Sequence, residues 1–149
     1  MKLKIHRITS ILATLCIVTF FTSTLIVELF GSQETITLVK SLIVLPGIFI
    51  LVPAMAITGA TGFSLAKEKK GHIVQAKKKR MPIIALIGIF ILMPAAIYLS
   101  NWAAIGAFDT KFYIVQAIEL IAGATNLTLM IKSIKDGNKL VGKKSKKLL

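Results

Sequence analysis

The residues best suited to chemistry lie on one face of the last apolar segment, FYIVQAIELIAGATNLTLMI. Gln116, Glu119, Gly123 and Asn126 are separated by 3, 4 and 3 positions, so an α-helix carries them on a single face. The opposite face consists of Ile, Val and Leu. The pattern predicts a helix in an apolar environment whose polar stripe turns away from lipid and toward other helices.

Glu119 is the strongest functional candidate in this stripe. An ionisable side chain inside a membrane is costly, and by default it indicates function. Because no Lys, Arg or His is expected at its depth, we predict a neutral carboxyl that is hydrogen-bonded to Gln116 or to a hydroxyl group of the first segment. The structural alternative is a hydrogen bond between helices worth about 1 kcal/mol. On either interpretation, Glu119→Gln is expected to leave folding nearly intact.

Further polar residues are expected near the outer ends of the apolar segments. Glu28 and Asn101 could line, together with Glu119, a cavity that opens to the outside. Glu28 also has a simpler interpretation, a salt bridge at the rim to Lys40 or Lys111. Gln116 and Asn126, taken singly, are more typical of hydrogen bonds between membrane helices. The predicted ligand- or proton-binding candidates are Glu119, Gln116, Asn126, Glu28 and Asn101.

Four apolar segments are available to position these residues. A membrane-spanning helix needs about 20 mostly apolar residues, and 55% of this chain is hydrophobic. The loops between the segments are too short to hold another domain. We therefore predict one integral membrane domain over residues 1–149, with a basic tail at 132–149 and spans at about Ile8–Phe30, Ser41–Ala66, Met81–Ala103 and Phe112–Ile131.

The charge of +13 is distributed in a way that predicts topology. All but two of the 19 Lys and Arg residues precede the first span, separate the second from the third, or follow the fourth; the exceptions are Lys40 and Lys111. The positive-inside rule then places both termini in the cytoplasm. The prediction is an all-α polytopic membrane protein, a four-transmembrane-helix antiparallel bundle, in the cytoplasmic (inner) membrane of a bacterium. Its expected partners are the bilayer and anionic lipid headgroups at the cytoplasmic face, and nucleic acid is not expected.

An octapeptide occurs twice, as GIFILVPA at Gly47–Ala54 and as GIFILMPA at Gly88–Ala95. Each copy puts a proline, Pro53 or Pro94, near the middle of a span. Proline removes a backbone donor and disturbs the preceding helical turn. The repeat therefore predicts two kinks, in neighbouring antiparallel helices, that make room beside the polar face of the fourth span.

The sequence contains no HExxH, CxxC or P-loop motif, and its only histidines, His6 and His72, are expected outside the spans. We therefore predict a protein that is not an enzyme and that holds no metal and no cofactor. The lone cysteine, Cys16, is expected to be an apolar filler within the first span.

Two functions fit these features. The first is a small non-enzymatic membrane protein whose outer-half pocket around Glu119 binds or translocates a small solute or a proton. The alternative is an accessory or assembly subunit of a larger membrane complex, or a homo-oligomer. It would pack through the small residues Ala56, Gly59, Ala60, Gly62 and Gly123, since small side chains let membrane helices approach closely.

Overall fold

A computed structural model describes residues 1–67 and 71–145, with side chains described through residue 139. Throughout the described residues the ordered elements are helical. They are α1 (Lys2–Phe30), α2 (Gln33–Leu42), a π-helical segment (Ile43–Ile48), α3 (Phe49–Lys67), α4 (His72–Ile87), a second π-helical segment (Gly88–Leu92), α5 (Met93–Ala104) and α6 (Thr110–Ser145).

Four stretches of helix are long and apolar enough to cross a membrane, which agrees with the number of spans expected from the sequence. They cover Lys2–Phe30, Gln33–Lys67, His72–Ala104 and Thr110–Lys139. In the third stretch, a π-helical segment joins two α-helices. In the second, α2 and α3 meet at a kink within Ile43–Ile48, where Leu45 has non-helical backbone angles. Each of the four stretches is called a rod below.

The second rod begins eight residues earlier than predicted, at Gln33 instead of Ser41. Ser32 caps its N-terminus, because the Ser32 hydroxyl accepts a hydrogen bond of 3.3 Å from the Thr35 backbone amide. The segment expected to be a loop is therefore helical almost from its start. In consequence Lys40 lies within the rod, not on the connection before it.

The other helix ends also extend beyond the predicted spans. α1 begins at Lys2 and therefore includes His6, which was expected to precede the first span. α6 continues through Ser145, so the basic tail predicted at residues 132–149 is helical as far as Ser145. Residues 68–70 lie outside the described residues; from His72 the chain is helical and continues into the third rod.

The two prolines of the repeated octapeptide lie in different local structure. In the third rod, a π-helical segment occupies Gly88–Leu92 and Pro94 follows it after Met93, and the kink at Pro94 stays a prediction. In the second rod, however, α3 continues through Pro53. The backbone departs from helical geometry at Leu45 (φ −133°, ψ 114°) instead, because the ring of Pro46 disfavours helical geometry at the residue before it.

Side-chain contacts join the four rods of the chain at both of their ends. At one end, called here the His6 end, His6 of α1 contacts Thr58 and Thr61 of α3, and Arg80 of α4 pairs with Asp136 of α6 at 2.8 Å. At the other, the Lys40 end, α2 contacts α5 and α6. Buried apolar side chains form two clusters. One contains Ala13, Ile17, Ala54, Ile84 and Met130. The other, at the Lys40 end, contains Val27, Ile36, Leu99, Ala103 and Phe112.

Two of the predicted small-residue contacts are made within this chain. A Cβ on Gly62 would meet Met81 Cε, and one on Gly123 would lie 3.3 Å from Phe21 Cδ2. These glycines therefore let α3 and α6 approach their neighbours in the same molecule. Gly59 differs, since no neighbouring described residue comes within 4 Å of its Cβ position.

Candidate functional site

The Glu119 carboxylate is paired with a buried cation. Lys40 Nζ lies 2.5 Å from Glu119 Oε2, and the Lys40 side chain is fully buried while that of Glu119 is 12% exposed. Gln116 Nε2 donates a second hydrogen bond of 2.9 Å to the same oxygen. The expectation that no cationic group lies near Glu119 is therefore wrong.

The cause of that error is the position of Lys40 in its helix. Ile36, Lys40 and Ile43 are all buried and are separated by four and three positions, so they share the face that packs on the other rods. The sequence contains this signal, but a lysine between two apolar spans is ordinarily assigned to the aqueous boundary. The polar stripe of α6 itself faces inward as predicted, with Gln116 3% exposed and Asn126 fully buried.

Glu28 and Asn101 stand in different relations to this pair. Glu28 lies within electrostatic range of both Lys40 and Glu119, but Lys40 gives its hydrogen bond to Glu119. Glu28 Oε1 is buried and has no hydrogen-bond partner among the described residues. Asn101 is exposed near the end of α5, and it does not line the cavity described next.

A partly open cavity of about 590 Å³ runs between the helices from Glu119 toward His6. Its volume falls within the range of about 300–1,000 Å³ that is typical of small-molecule sites. Most of its wall is apolar, and both copies of the octapeptide contribute to it, through Leu51 and Val52 in one copy and Ile89 and Leu92 in the other. The polar face of α6 forms the opposite side.

Asn126 is the central polar group of this cavity. It lines the cavity and is fully buried, yet neither Nδ2 nor Oδ1 of its amide has a hydrogen-bond partner among the described residues. The residue opposite is Gly88, and a Cβ placed there would lie 4.0 Å from Asn126 Nδ2. An unsatisfied buried amide typically costs about 1–3 kcal/mol.

Ser133 repeats this arrangement two helical turns further along α6. It also lines the cavity and is 9% exposed, and its Oγ has no hydrogen-bond partner among the described residues. Because Glu119, Asn126 and Ser133 are spaced by seven residues, they lie in one row along the helix. A rise of 1.5 Å per residue separates successive members of the row by roughly 10 Å.

The His6 end of the cavity is basic and rich in hydroxyl groups. His6 Nδ1 lies 3.1 Å from the Thr58 carbonyl oxygen and 3.0 Å from Thr61 Oγ1, so α3 holds the ring in place. Arg7 and Lys77 line the cavity at this end. Among the described residues near this end, the acidic Asp136 is paired with Arg80.

His6, Lys77 and Ser133 were not among the candidates predicted from sequence. Lys77 was counted as a topology signal, His6 was expected to lie outside the spans, and Ser133 lies beyond the predicted end of the fourth span. The heptad row from Glu119 was the available signal, since it continues past Asn126 to Ser133. Comparison with protein-family models, with curated proteins and with solved structures found no match to this chain.

Proposed function

We propose that this chain is a small, non-enzymatic integral membrane protein that binds a small solute in its internal cavity. In this proposal the four rods form an antiparallel bundle with both termini in the cytoplasm of a bacterial cell, and the basic His6 end contacts anionic lipid headgroups. The bound solute contacts the apolar wall and hydrogen-bonds to Asn126.

The observation that carries the proposal is the unpartnered amide of Asn126 inside a cavity of ligand size. Buried polar groups in native proteins almost always have partners, so a lone one within an open space requires an explanation. An apolar site with a few convergent polar groups is the general form of a small-molecule site. Glu119 has a lesser part here than the sequence predicted, because Lys40 and Gln116 occupy one of its oxygens.

Binding can be tested with 1-aminoanthracene, a small aromatic amine whose fluorescence rises in apolar sites. Titrated into the protein in zwitterionic nanodiscs, it is expected to give a saturable signal above the linear lipid background. Asn126→Leu keeps the branching and the number of side-chain heavy atoms but removes the amide, and it is expected to weaken binding by about tenfold or more, the loss of roughly one strong hydrogen bond in an apolar site.

Asn101→Leu is the matched control, because it makes the same chemical change at an exposed position outside the cavity and is expected to leave the affinity unchanged. A linear titration of the unsubstituted protein, or equal affinities for all three proteins, would contradict the proposal.

The predicted topology has its own test. In a variant lacking Cys16, single cysteines at Ser32, Ala107 and Gly71 are treated in whole cells with a membrane-impermeant maleimide. Labelling is expected at Ser32 and Ala107, which lie in the connections near the Lys40 end, and not at Gly71. Labelling of Gly71 alone would reverse the assignment of the two sides.

The alternative, an accessory subunit or homo-oligomer, stays a prediction. It has less support, because Gly62 and Gly123 of the proposed docking seam already pack against His6, Met81 and Phe21 of the same chain. A fixed protein partner that copurifies with the chain in mild detergent, together with absence of solute binding, would favour it.

A further inference from the structure

We propose that the cavity accepts a single-chain anionic amphiphile, with its charged head at Arg7 and Lys77 and a hydrogen-bonding group placed further along its apolar body, at Asn126. This inference rests on the proposed solute binding and names the class of solute. It is carried by the different chemistry of the cavity's end, middle and wall.

The first step concerns the charged head. Arg7 from α1 and Lys77 from α4 line the same end of the cavity, so two separate helices bring positive charge to it. Lys77 Nζ reaches across toward α6, since it lies 3.3 Å from the Cβ position of Gly137. Cations that line an end of an otherwise apolar cavity attract an anion, and an arginine can bind a carboxylate or phosphate through two hydrogen bonds.

The second step concerns the hydroxyl group of Ser133, which also lines the cavity. Ser133 is nine-tenths buried and its Oγ is unpartnered among the described residues. A hydroxyl group can donate to an anionic head and so supplement the two cations. Among the described residues at this end of the helices, the acidic side chain is Asp136, and its carboxylate is held by Arg80.

The third step concerns the length and shape of the solute. Between Ser133 and Asn126 lie two turns of α6, which span roughly 10 Å, and the wall there is formed by apolar residues such as Ala13, Leu51, Met55 and Met130. A solute with a narrow hydrocarbon chain fits this wall. Where that hydrocarbon chain reaches Asn126, the solute needs a second polar group. These features define an elongated anion with an apolar middle and a distant hydrogen-bonding group.

Three ligands separate these contributions: decanoate has the charged head alone, decanediol has hydroxyl groups without charge, and ω-hydroxydecanoate has both. The affinity of each ligand is measured by its competition with 1-aminoanthracene for the protein in phosphatidylcholine nanodiscs. We expect ω-hydroxydecanoate to bind at least about tenfold more tightly than either of the others, as one additional well-placed polar contact implies.

Two sets of variants assign the contacts. Arg7→Gln/Lys77→Gln is expected to weaken both carboxylates about tenfold or more while leaving decanediol unchanged, which also shows that the variant is folded. Asn126→Leu is expected to reduce ω-hydroxydecanoate to the affinity of decanoate. Lys4→Gln/Lys78→Gln is the matched control, because it removes the same charge from two exposed residues that do not line the cavity.

The outcomes distinguish this inference from the proposal beneath it. If decanediol binds through Asn126 but neither carboxylate gains affinity from Arg7 and Lys77, the anionic head is wrong and solute binding stands. Equal losses in the Lys4/Lys78 control would assign the effect to general surface charge and also overturn the inference. If phosphatidylglycerol in the nanodisc competes as well as ω-hydroxydecanoate does, the occupant is a two-chain membrane lipid and the single-chain assignment fails. If 1-aminoanthracene itself does not bind saturably, both fall.

Discussion

Lys40→Met is expected to lower the free energy of unfolding by about 3–5 kcal/mol, the typical cost of removing one member of a buried ion pair. The methionine fits the same space but leaves Glu119, whose side chain is only 12% exposed, without its cation. Gln116 then remains as its hydrogen-bond donor, and one amide cannot replace a charge. The change can be followed in detergent through Trp102, which packs against the apolar cluster at the Lys40 end.

A double variant separates the charge from the packing. Lys40→Met/Glu119→Met removes both members of the pair, and replacing a buried pair by apolar residues of similar volume is often neutral or stabilising. We expect it to recover most of the loss, less about 1 kcal/mol for the Gln116 amide that is left without a partner. Lys111→Met, at an exposed position near the same end, controls for the change of residue type. If Lys40→Met destabilises the protein no more than Lys111→Met does, the pair is not closed in solution.

The same pair changes what is expected of Glu119→Gln. With no cation nearby, glutamine would mimic a neutral carboxyl and leave folding nearly intact, as the sequence predicted. Beside Lys40, glutamine can still accept a hydrogen bond, but the ammonium group keeps a buried charge without compensation. The substitution is therefore destabilising, and loss of activity in this variant alone would not identify Glu119 as a binding residue.

The polar face of α6 could be predicted because helical periodicity depends only on local sequence. Gln116 and Asn126 are buried where a spacing of three and four residues placed them. The partner of Glu119 could not be predicted in the same way, because it depends on where α2 begins. The helix capped by Ser32 begins at Gln33, so Lys40 lies within it, on the buried face that contacts α6. Counting charges along the sequence instead assigns such a lysine to the membrane boundary.

The position of the kinks shows a second limit of the same kind. The second rod contains Pro46 and Pro53, and either can interrupt a helix. The repeated octapeptide favoured Pro53, but the backbone departs from the helix at Leu45, just before Pro46. Which proline bends a helix depends on the packing around it. Here Gly47, the residue after Pro46, lies against Phe20 of α1.

Gly47→Ala tests whether this close approach holds α1 against the bend. A Cβ on Gly47 would lie 2.6 Å from Phe20 Cζ and 3.0 Å from the Leu42 carbonyl oxygen. The Phe20 ring can rotate, but the carbonyl belongs to the backbone, so the helix itself must shift. We expect a loss of about 1–3 kcal/mol in the free energy of unfolding, as for other insertions of a methyl group into a filled space.

Gly59→Ala makes the same change in the same rod and is expected to have the opposite sign. No neighbouring side chain or helix among the described residues comes within 4 Å of its Cβ position, and alanine is favoured over glycine in a helix interior by about 0.5–1 kcal/mol. Adding Phe20→Leu, which removes the ring atom nearest Gly47, is expected to reduce the cost of Gly47→Ala but not to abolish it, because the Leu42 carbonyl stays in place. If the two glycine variants shift the unfolding midpoint equally, the contact between Gly47 and Phe20 does not position the bend. In that case the cavity wall that follows it is held by the other contacts of α3 with α1.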